Sequence, residues 1–214
     1  MTPLIIAIDG PAAAGKGTLA KRLAARFGLP HLDTGLLYRA TGRRVLDAHG
    51  DPADPATAEA AARALRPEDL ARADLRGPEA DAAAASVASI PAVRAALLDF
   101  QRDFGRARGA VLDGRDIGTI VFPDAPAKLF VTASAEARGL RRWRELAGRG
   151  LAADLAEVTA QVRQRDAQDA ARAAAPLRQA ADALLLDTTE LDADATEARA
   201  LALLRERRGI VPPG

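Results

Sequence analysis

The sequence predicts an α/β fold in three layers, with a central parallel sheet of about five strands between layers of helices. Short β-branched or leucine-rich runs alternate along the chain with longer segments whose apolar residues recur every three or four positions. Strands that alternate with helices form parallel sheets with right-handed crossovers. Alanine supplies 53 of the 214 residues, which favours a helix-rich structure.

The first strand and the first helix flank a phosphate-binding motif. An apolar run at residues 4–8 is followed by a loop of small residues and then by a helical pattern over residues 19–27. Gly10, Gly15 and Lys16 have the spacing of a P-loop. Backbone N–H groups of such a loop surround a phosphate, the helix start adds more N–H groups, and the lysine adds a charge. The residues predicted to bind nucleotide phosphates are Gly10, Pro11, Ala12, Ala13, Ala14, Gly15, Lys16, Gly17 and Thr18.

The residue after the lysine departs from the general motif. Gly17 stands where most P-loops carry a serine or threonine that holds magnesium. We therefore expect Thr18 to bond a phosphate, and magnesium to be held through water and nucleotide oxygens with no direct protein ligand. The alternative is a Gly/Ala-rich turn that binds nothing, but the preceding strand and the following helix favour the P-loop.

A second short strand is predicted at residues 30–33, before a helix for which Thr34 is the expected N-cap. Asp33, Thr34 and Arg39 follow the carboxyl end of this strand, which is where open α/β sheets bind ligands. The alternatives are simple capping by Asp33 and Thr34 and a solvent-exposed charge at Arg39. No functional role is predicted for either histidine of the chain.

Residues 47–85 change in character. They are rich in Ala, Asp, Glu and Arg and are punctuated by proline and glycine, which indicates an insertion of short, mostly helical elements. The next helix is predicted to begin at Pro91, because proline suits the first helical position. Arg94 lies in the first turn of that helix, where its side chain would meet whatever lies above the helix start. A purely structural role for Arg94 is an equal alternative.

The next buried strand is predicted at residues 110–113, and a polar turn at residues 114–119 follows it. An acidic side chain directly after a buried strand is the place for a residue that orders magnesium or its waters in a P-loop enzyme. Asp113 and Asp116 are the two candidates. Simple turn chemistry is the alternative for both.

A strand at residues 127–133 leads into a helix that Ser134 begins. One broad face of this helix carries Arg138, Arg141, Arg142, Glu145 and Arg149. The excess of positive charge predicts a mobile arginine flap over transferring phosphates, because phosphoryl transfer needs positive groups on the developing charge. A solvent-exposed face is the alternative.

The remaining elements complete a single predicted domain. A helix over residues 155–172, a last strand and turn over 183–189 and a closing helix over 196–208 follow. The predicted core consists of residues 1–46, 106–140 and 176–214. The insertion covers residues 47–105, and a lid with its following helix covers residues 141–175.

Composition argues against several classes of protein. The chain has no cysteine, hence neither a disulfide framework nor a thiolate metal site. Its net charge of +1 creates no overall field that calls for nucleic acid or a membrane. No apolar stretch reaches about 18 residues, and no basic segment precedes the first apolar run, so neither a membrane span nor a signal peptide is predicted. We expect a cytoplasmic protein.

The motifs also resemble a known family when they are taken together. The segments that carry the resemblance are residues 8–11, 15–18, 32–35, 38–39, 90–94, 112–119, 121–125, 165–166, 172, 175–177 and 186–189. In these segments the chain resembles the bacterial cytidylate kinases, over about residues 4–204. The P-loop alone would suit any nucleotide kinase, whereas residues 113–125 and 172–177 are much more specific.

The resemblance implies a P-loop NTPase-type α/β/α fold with a short nucleoside monophosphate-binding insertion and a small lid. It implies transfer of the γ-phosphate of ATP to CMP or dCMP, with Mg²⁺ as cofactor. The implied partners are these nucleotides, without nucleic acid or membrane, and a monomer is expected. Many family members carry a small β-sheet in the insertion, but residues 47–85 show little strand pattern, so a reduced and mostly helical insertion is expected.

The resemblance also implies roles by position. Thr34 and Asp116 look like the pair that reads the pentose hydroxyls, and Asp33 and Asp113 look like the acids near the metal and the transferring phosphate. The residues implied to bind the acceptor are Asp33, Thr34, Arg39, Arg94, Arg115, Asp116, Arg165 and Arg172. The residues implied to be catalytic are Lys16, Arg138, Arg141, Arg142 and Asp113, of which the three arginines look like the lid.

Two alternatives to this function remain open at the level of sequence. The first is a P-loop kinase for another small acceptor, such as UMP, AMP or shikimate. The second is a non-catalytic nucleotide-binding protein or a GTPase-like switch. A switch GTPase would be expected to carry an Asn-Lys-x-Asp segment after a strand, and the chain has none.

Overall fold

The computed structural model describes residues 3–172 and 175–213 and contains a central five-stranded parallel sheet. The strands are β1 (Ile5–Asp9), β2 (His31–Asp33), β3 (Ala110–Gly114), β4 (Ala127–Thr132) and β5 (Leu184–Asp187). Their order across the sheet is β2-β3-β1-β4-β5. The predicted α/β fold with a parallel sheet is therefore confirmed. Residues 173 and 174 of the predicted lid range, and residues 1, 2 and 214 of the predicted core, lie outside the described residues.

Eight α-helices connect and follow these strands in the described part of the chain. They are α1 (Lys16–Phe27), α2 (Thr34–Asp47), α3 (Pro55–Arg63), α4 (Pro78–Ala88), α5 (Pro91–Arg108), α6 (Ala135–Gly148), α7 (Leu155–Ala171) and α8 (Ala193–Arg208). A 3-10 turn, Pro67–Ala71, precedes α4, and a π-helical turn, Ile117–Val121, follows β3.

Two predicted helix starts were wrong. Thr34 is already the first residue of α2, and Asp33 is the N-cap, although its side chain makes no capping hydrogen bond. Helix α8 begins at Ala193, three residues before the predicted start at residue 196, because the Asp192 carboxylate accepts a hydrogen bond from Ala195 N at 2.8 Å. The predicted cap of α6 is confirmed, since Ser134 accepts from Ala137 N.

The chain divides into two compact units. The first unit comprises Met1–His31 and Arg108–Gly214, and the second comprises Leu32–Ala107. In the second unit α2 packs so closely on α4 that a Cβ atom at Gly42 would lie 2.8 Å from the Cβ of Ala83. All regular elements of residues 47–105 are helices or the 3-10 turn, as expected for a reduced insertion. The role of this segment in binding a nucleotide stays a prediction.

The core of the first unit is built around β1, whose five residues are all buried. Ile6 and Ile8 pack with Leu19 and Leu23 of α1 and with Leu129 of β4. A strand that is apolar on both sides needs cover on both faces, which explains why an uninterrupted apolar run forms the centre of the sheet. Both ends of the P-loop are thereby fixed to a buried strand and a packed helix.

The helices were not predicted to span a membrane, and their length and hydropathy agree with that for the described residues. Within residues 3–172 and 175–213, no single helix is both long and apolar enough to cross a membrane. Helices α4 and α5 would pass together on length and composition, but they are bent by 99°.

Candidate functional site

The predicted P-loop, residues 10–15, joins β1 to α1. Gly10 has a φ of 148°, and a Cβ atom there would lie 1.9 Å from the carbonyl oxygen of Val131 in β4. Gly15 is the N-cap of α1 with a φ of 88°. Both positions therefore require glycine, the first for space and the second for its left-handed backbone conformation. The glycine spacing seen in the sequence reflects a loop held against the neighbouring strand.

The loop ends in a group of hydrogen-bond donors. A glycine N-cap has no side chain to occupy the first N–H groups of α1, and the aligned peptide dipoles add partial positive charge there. Lys16 is only 6% exposed, and its Nζ donates to Pro11 O at 2.6 Å, which keeps the ammonium group at the loop. Thr18 is exposed in the first turn of the helix. Such a set of N–H groups with one lysine suits the oxygens of a polyphosphate.

Asp113 lies at the end of β3, beside the start of α1. Its carboxylate is 6% exposed, and Oδ2 lies 3.8 Å from where a Cβ atom of Gly17 would be. His31 Nε2 lies 2.7 Å from Asp113 Oδ1. No local sequence pattern indicates this contact, because it depends on the placement of His31 beside β3. The acid predicted near the transferring phosphate is thus placed next to the P-loop helix.

Asp9 is an acidic residue that sequence reasoning did not select. It ends β1, is 5% exposed, and accepts hydrogen bonds from the backbone N–H groups of Ile117 and Gly118, both at 2.7 Å. Burial raises the pKa of Asp9 to about 6, against the opposing effect of these two hydrogen bonds. The charge of Asp116 adds to the increase and that of Lys16 opposes it.

The raised pKa of Asp9 predicts an unusual pH dependence of stability. Between pH 3.8 and about 6 the folded protein holds this proton while the unfolded chain has released it, so the free energy of unfolding falls as pH rises. About two pH units at roughly 1.4 kcal/mol each give a loss of about 3 kcal/mol. Urea unfolding at several pH values should show this slope in the wild type. The slope should be lost in Asp9→Asn. The same slope in both proteins would mean that Asp9 is not its source, and the prediction would be wrong.

A second group of functional side chains surrounds Asp169 of α7, which has no exposed surface. Arg115 Nε donates to Asp169 Oδ2 at 2.7 Å. Arg172 Nη2 lies 2.6 Å from Oδ1, and Arg165 Nε lies 3.5 Å from the same oxygen. We call these four residues the Asp169 cluster. The structure therefore brings together three of the predicted acceptor-binding arginines, around a carboxylate that sequence reasoning did not select.

The charge balance of the Asp169 cluster favours an anion. Burial is the largest influence on Asp169 and opposes its ionisation, but Arg115, Arg172 and Arg165 together outweigh it, so the pKa of Asp169 is lowered. Three guanidinium groups around one carboxylate leave two positive charges in excess. A phosphate group is a ligand that suits such an excess, because guanidinium groups form strong charge-assisted hydrogen bonds with phosphate oxygens.

The arginines predicted to form a flap are held by protein groups in this structure. Arg138 is 4% exposed, donates to Asp166 of α7 through both Nη atoms at 2.8 and 2.6 Å, and reaches Ala12 O of the P-loop at 3.3 Å. Arg141 binds the carbonyl and hydroxyl groups of Thr188. Arg142 pairs with Glu145 at 2.9 Å. The Arg138 guanidinium thus contacts the P-loop directly, and Arg141 reaches it through the Thr188 hydroxyl, which donates to Ala14 O at 3.1 Å.

Of the remaining predicted residues, Asp116 is buried in the first unit, and the others belong to the second unit. Arg39 Nε lies 3.0 Å from Asp81 and its Nη1 lies 4.0 Å from Asp33. The Arg94 guanidinium stands over the Tyr38 ring, 5.6 Å from the centroid. Thr34 is buried at the start of α2. Asp33, Thr34 and Arg39 form one local group at the carboxyl end of β2, as predicted, and their function stays a prediction.

The chain is similar to known proteins over most of its length. A family model described as Cytidylate kinase matches residues 6–206. A Cytidylate kinase of Granulibacter bethesdensis is 65% identical over 204 residues, which cover 95% of this chain and 98% of that protein. A Cytidylate kinase of Acidiphilium cryptum is 65% identical over 192 residues, which cover 90% of this chain and 91% of that protein.

Among solved structures, an uncharacterized protein from Eubacterium ventriosum matches with a TM-score of 0.58 at 13% identity. The match covers 95% of this chain and 99% of that one. This likeness concerns the fold alone.

Proposed function

The chain belongs to the cytidylate kinase family and phosphorylates CMP and dCMP with ATP as donor, and we propose that the P-loop holds the donor while the Asp169 cluster holds the acceptor. One observation carries this division of roles. The first unit contains two separate groups suited to anions, a loop of backbone N–H groups with Lys16 and a cluster of three arginines. A kinase that transfers a phosphoryl group from one phosphorylated molecule to another needs one such group for each.

The donor is assigned to residues 10–18. Their N–H groups and the start of α1 would surround the β- and γ-phosphates, and Lys16 would move from Pro11 O to a phosphate oxygen. Gly17 offers no hydroxyl for a metal, so Thr18 is assigned to a phosphate oxygen. Arg138, already in contact with Ala12 O, is assigned to the charge that develops on the transferring group, together with Arg141 and Arg142.

The acceptor is assigned to the arginines of the Asp169 cluster in the first unit and to Arg39 and Arg94 in the second. Within the first unit, Asp169 holds the arginines of its cluster in fixed orientations while leaving them a net positive charge. Thr34 and Asp116 are assigned to the pentose hydroxyls. Preoriented guanidinium groups bind a phosphate at little further cost in side-chain entropy.

The chemistry needs positioning more than proton transfer. An oxygen of the CMP phosphate attacks the γ-phosphorus of ATP, a new O–P bond forms, and the bond from that phosphorus to the β–γ bridging oxygen breaks to release ADP. The attacking phosphate oxygen is already a nucleophile, so no general base is required. The arginines reduce the repulsion between the two anions, and the P-loop aligns the donor.

We propose Mg²⁺ as the cofactor, bound with ATP. The donor set fits it, because Asp113 presents a buried carboxylate beside Gly17, and hard oxygen ligands with retained water suit Mg²⁺. Asp113 would hold the waters of the ion, and His31 would fix the orientation of that carboxylate. When bound, the ion supplies charge neutralisation across the β- and γ-phosphates.

An acceptor panel tests the function. With ATP and Mg²⁺, release of ADP should be rapid with CMP and dCMP, and at least about tenfold slower in kcat/KM with UMP or AMP, because hydrogen bonds to the base discriminate strongly. Activity with CMP should disappear when EDTA removes Mg²⁺ and return when Mg²⁺ is added. Faster turnover of UMP or AMP than of CMP would contradict the assignment.

We also propose that the protein acts as a monomer in the cytoplasm. Every residue assigned to donor or acceptor comes from one chain, and the substrates are nucleotides. Light scattering of the purified protein with and without CMP tests the oligomeric state.

A further inference from the structure

Asp9 connects the end of β1 to the segment that follows β3. It immediately precedes Gly10, the first residue of the P-loop, and its side chain is almost completely buried. Its two carboxylate oxygens each accept one backbone hydrogen bond at 2.7 Å, Oδ1 from Ile117 and Oδ2 from Gly118. Both donors begin the π-helical turn Ile117–Val121.

These two N–H groups need an acceptor from outside the turn. The first N–H groups of any helical turn have no partner within it, and leaving them buried without one is costly. The carboxylate satisfies both with charge-assisted hydrogen bonds. The last two residues of the same turn bind Asp116. Its carbonyl oxygen accepts hydrogen bonds from Ile120 N at 2.9 Å and from Val121 N at 3.2 Å. The backbone of Asp116 is therefore held in two ways. The two residues that follow it bind the Asp9 carboxylate, and its own carbonyl oxygen binds the end of the turn.

The lack of a side chain at Gly118 allows its N–H group to approach Asp9 Oδ2 closely. A Cβ atom at position 118 would lie 3.3 Å from Asp9 Oδ2 and 3.2 Å from Lys128 Cδ. The backbone of Gly118 does not adopt a left-handed conformation, so the glycine is needed for space and not for its dihedral angles. A methyl group there would crowd both the Asp9 carboxylate and the Lys128 side chain.

A buried carboxylate is an expensive way to stabilise a turn, since an uncharged acceptor would avoid the cost of desolvation. We propose that Asp9 is a positioning residue for the acceptor nucleotide: it holds the 117–121 turn and thereby fixes Asp116 for the pentose. This inference rests on the proposed function, which assigns Asp116 to the pentose hydroxyls. Asp9 acts through the backbone of the turn and not by touching a nucleotide.

Loss of the Asp9 carboxylate should affect the binding of the acceptor more than the binding of the donor. Gly10 is held by its close approach to Val131 O, which does not involve the Asp9 carboxylate. The charge of Lys16 affects the pKa of Asp9 less than burial, the two backbone hydrogen bonds or Asp116 does, so donor binding should depend less on Asp9 than acceptor binding. In Asp9→Asn the amide nitrogen faces one of the two N–H groups, and one hydrogen bond is lost. We expect the KM for CMP to rise about tenfold, the size that loss of a charge-assisted hydrogen bond produces, with the KM for ATP unchanged within about twofold.

A double-mutant cycle tests the route through Asp116. Steady-state ADP release would be measured for wild type, Asp9→Asn, Asp116→Ala and the double variant, varying CMP and ATP separately. If Asp9 acts by fixing Asp116, the double variant should lose no more kcat/KM for CMP than Asp116→Ala alone, since coupled residues are not additive. Additive losses, or a KM for ATP that rises as much as that for CMP, would overturn the proposal.

Two further variants keep the test decisive. Gly118→Ala disturbs the same contact without changing a charge, and should raise the KM for CMP selectively even if Asp9→Asn does not fold. Asp99→Asn, an identical chemical change at an exposed position of α5, should leave both KM values unchanged. A Gly118→Ala enzyme with wild-type constants for both substrates counts against the proposal.

A readout independent of activity separates the inference from the proposed function. Hydrogen exchange of the Ile117 and Gly118 amides should be slow in the wild type and faster in Asp9→Asn and Gly118→Ala. Unchanged exchange in both variants would show that the carboxylate does not hold the turn. A wild type without CMP kinase activity would refute the proposed function, whereas the exchange result still decides whether Asp9 positions the turn.

Discussion

Replacement of Lys16 by alanine is expected to lower kcat by roughly 10²- to 10³-fold or more while the fold stays intact. The Lys16 ammonium is the only side-chain charge within residues 10–18, and phosphoryl transfer depends on positive groups around the transferring phosphate. The fold should survive because the Lys16 ammonium donates to a carbonyl oxygen of the loop, Pro11 O, and takes no part in the apolar core around β1. The measurement is ADP release under saturating ATP and CMP, with thermal unfolding followed in parallel.

Lys21→Ala is the matched control for this change. Lys21 lies on the same helix, five residues later, and is exposed. The control should keep wild-type turnover and an unchanged melting temperature. If the kcat of Lys16→Ala were close to that of Lys21→Ala, the proposed role of the P-loop in the mechanism would be contradicted.

Replacement of Arg172 by alanine is expected to raise the KM for CMP at least about tenfold, with a change in the KM for ATP of no more than about twofold. Arg172 supplies one of the three guanidinium groups of the Asp169 cluster, and its loss leaves Asp169 paired with Arg115 and Arg165. The buried carboxylate therefore remains compensated, and the effect falls on the acceptor phosphate. Initial rates with CMP and ATP varied separately give both constants.

Arg178→Ala controls for the loss of an arginine near the same segment, since Arg178 is exposed and lies six residues later. It should leave both KM values unchanged. Equal increases in the KM for CMP and ATP in Arg172→Ala would mean that the cluster does not distinguish acceptor from donor, and its assignment would fail.

Features that depend on neighbouring residues in the sequence were predicted well. The P-loop is a contiguous stretch whose glycines and lysine have a fixed spacing, and β1 and α1 follow from the apolar pattern on either side of it. The parallel sheet follows from the alternation of strands and helices. The start of α2 was wrong by one residue, because threonine can stand at the first helical position as well as before it.

Features that depend on contacts between distant segments were not predicted. Asp9 is separated from Gly118 by 109 positions, and nothing in the local pattern around Asp9 indicates that its carboxylate caps a turn. Asp169 was passed over because a carboxylate among arginines on a helix usually indicates a solvent-exposed face. Only the fold shows that Arg115, 54 residues away, meets the same carboxylate.

The contacts of the predicted arginine flap on α6 could not be predicted from the sequence either. The excess of arginines on α6 was visible in the sequence, but the pair of buried Arg138 with half-buried Asp166 depends on the packing of α6 with α7. The pattern predicted positive charge near the phosphates, and the contact of Arg138 with Ala12 O is consistent with that. Its movement during the reaction stays a prediction.

A crystal structure of the protein with CMP and a non-hydrolysable ATP analogue tests the central claim most directly. The claim is that one polyphosphate lies on the P-loop and the acceptor phosphate lies on the arginines of the Asp169 cluster. The expected result is a CMP phosphate oxygen within about 3 Å of a guanidinium nitrogen of Arg165 or Arg172, with the analogue on residues 10–18. A CMP molecule bound away from all three cluster arginines would contradict the claim.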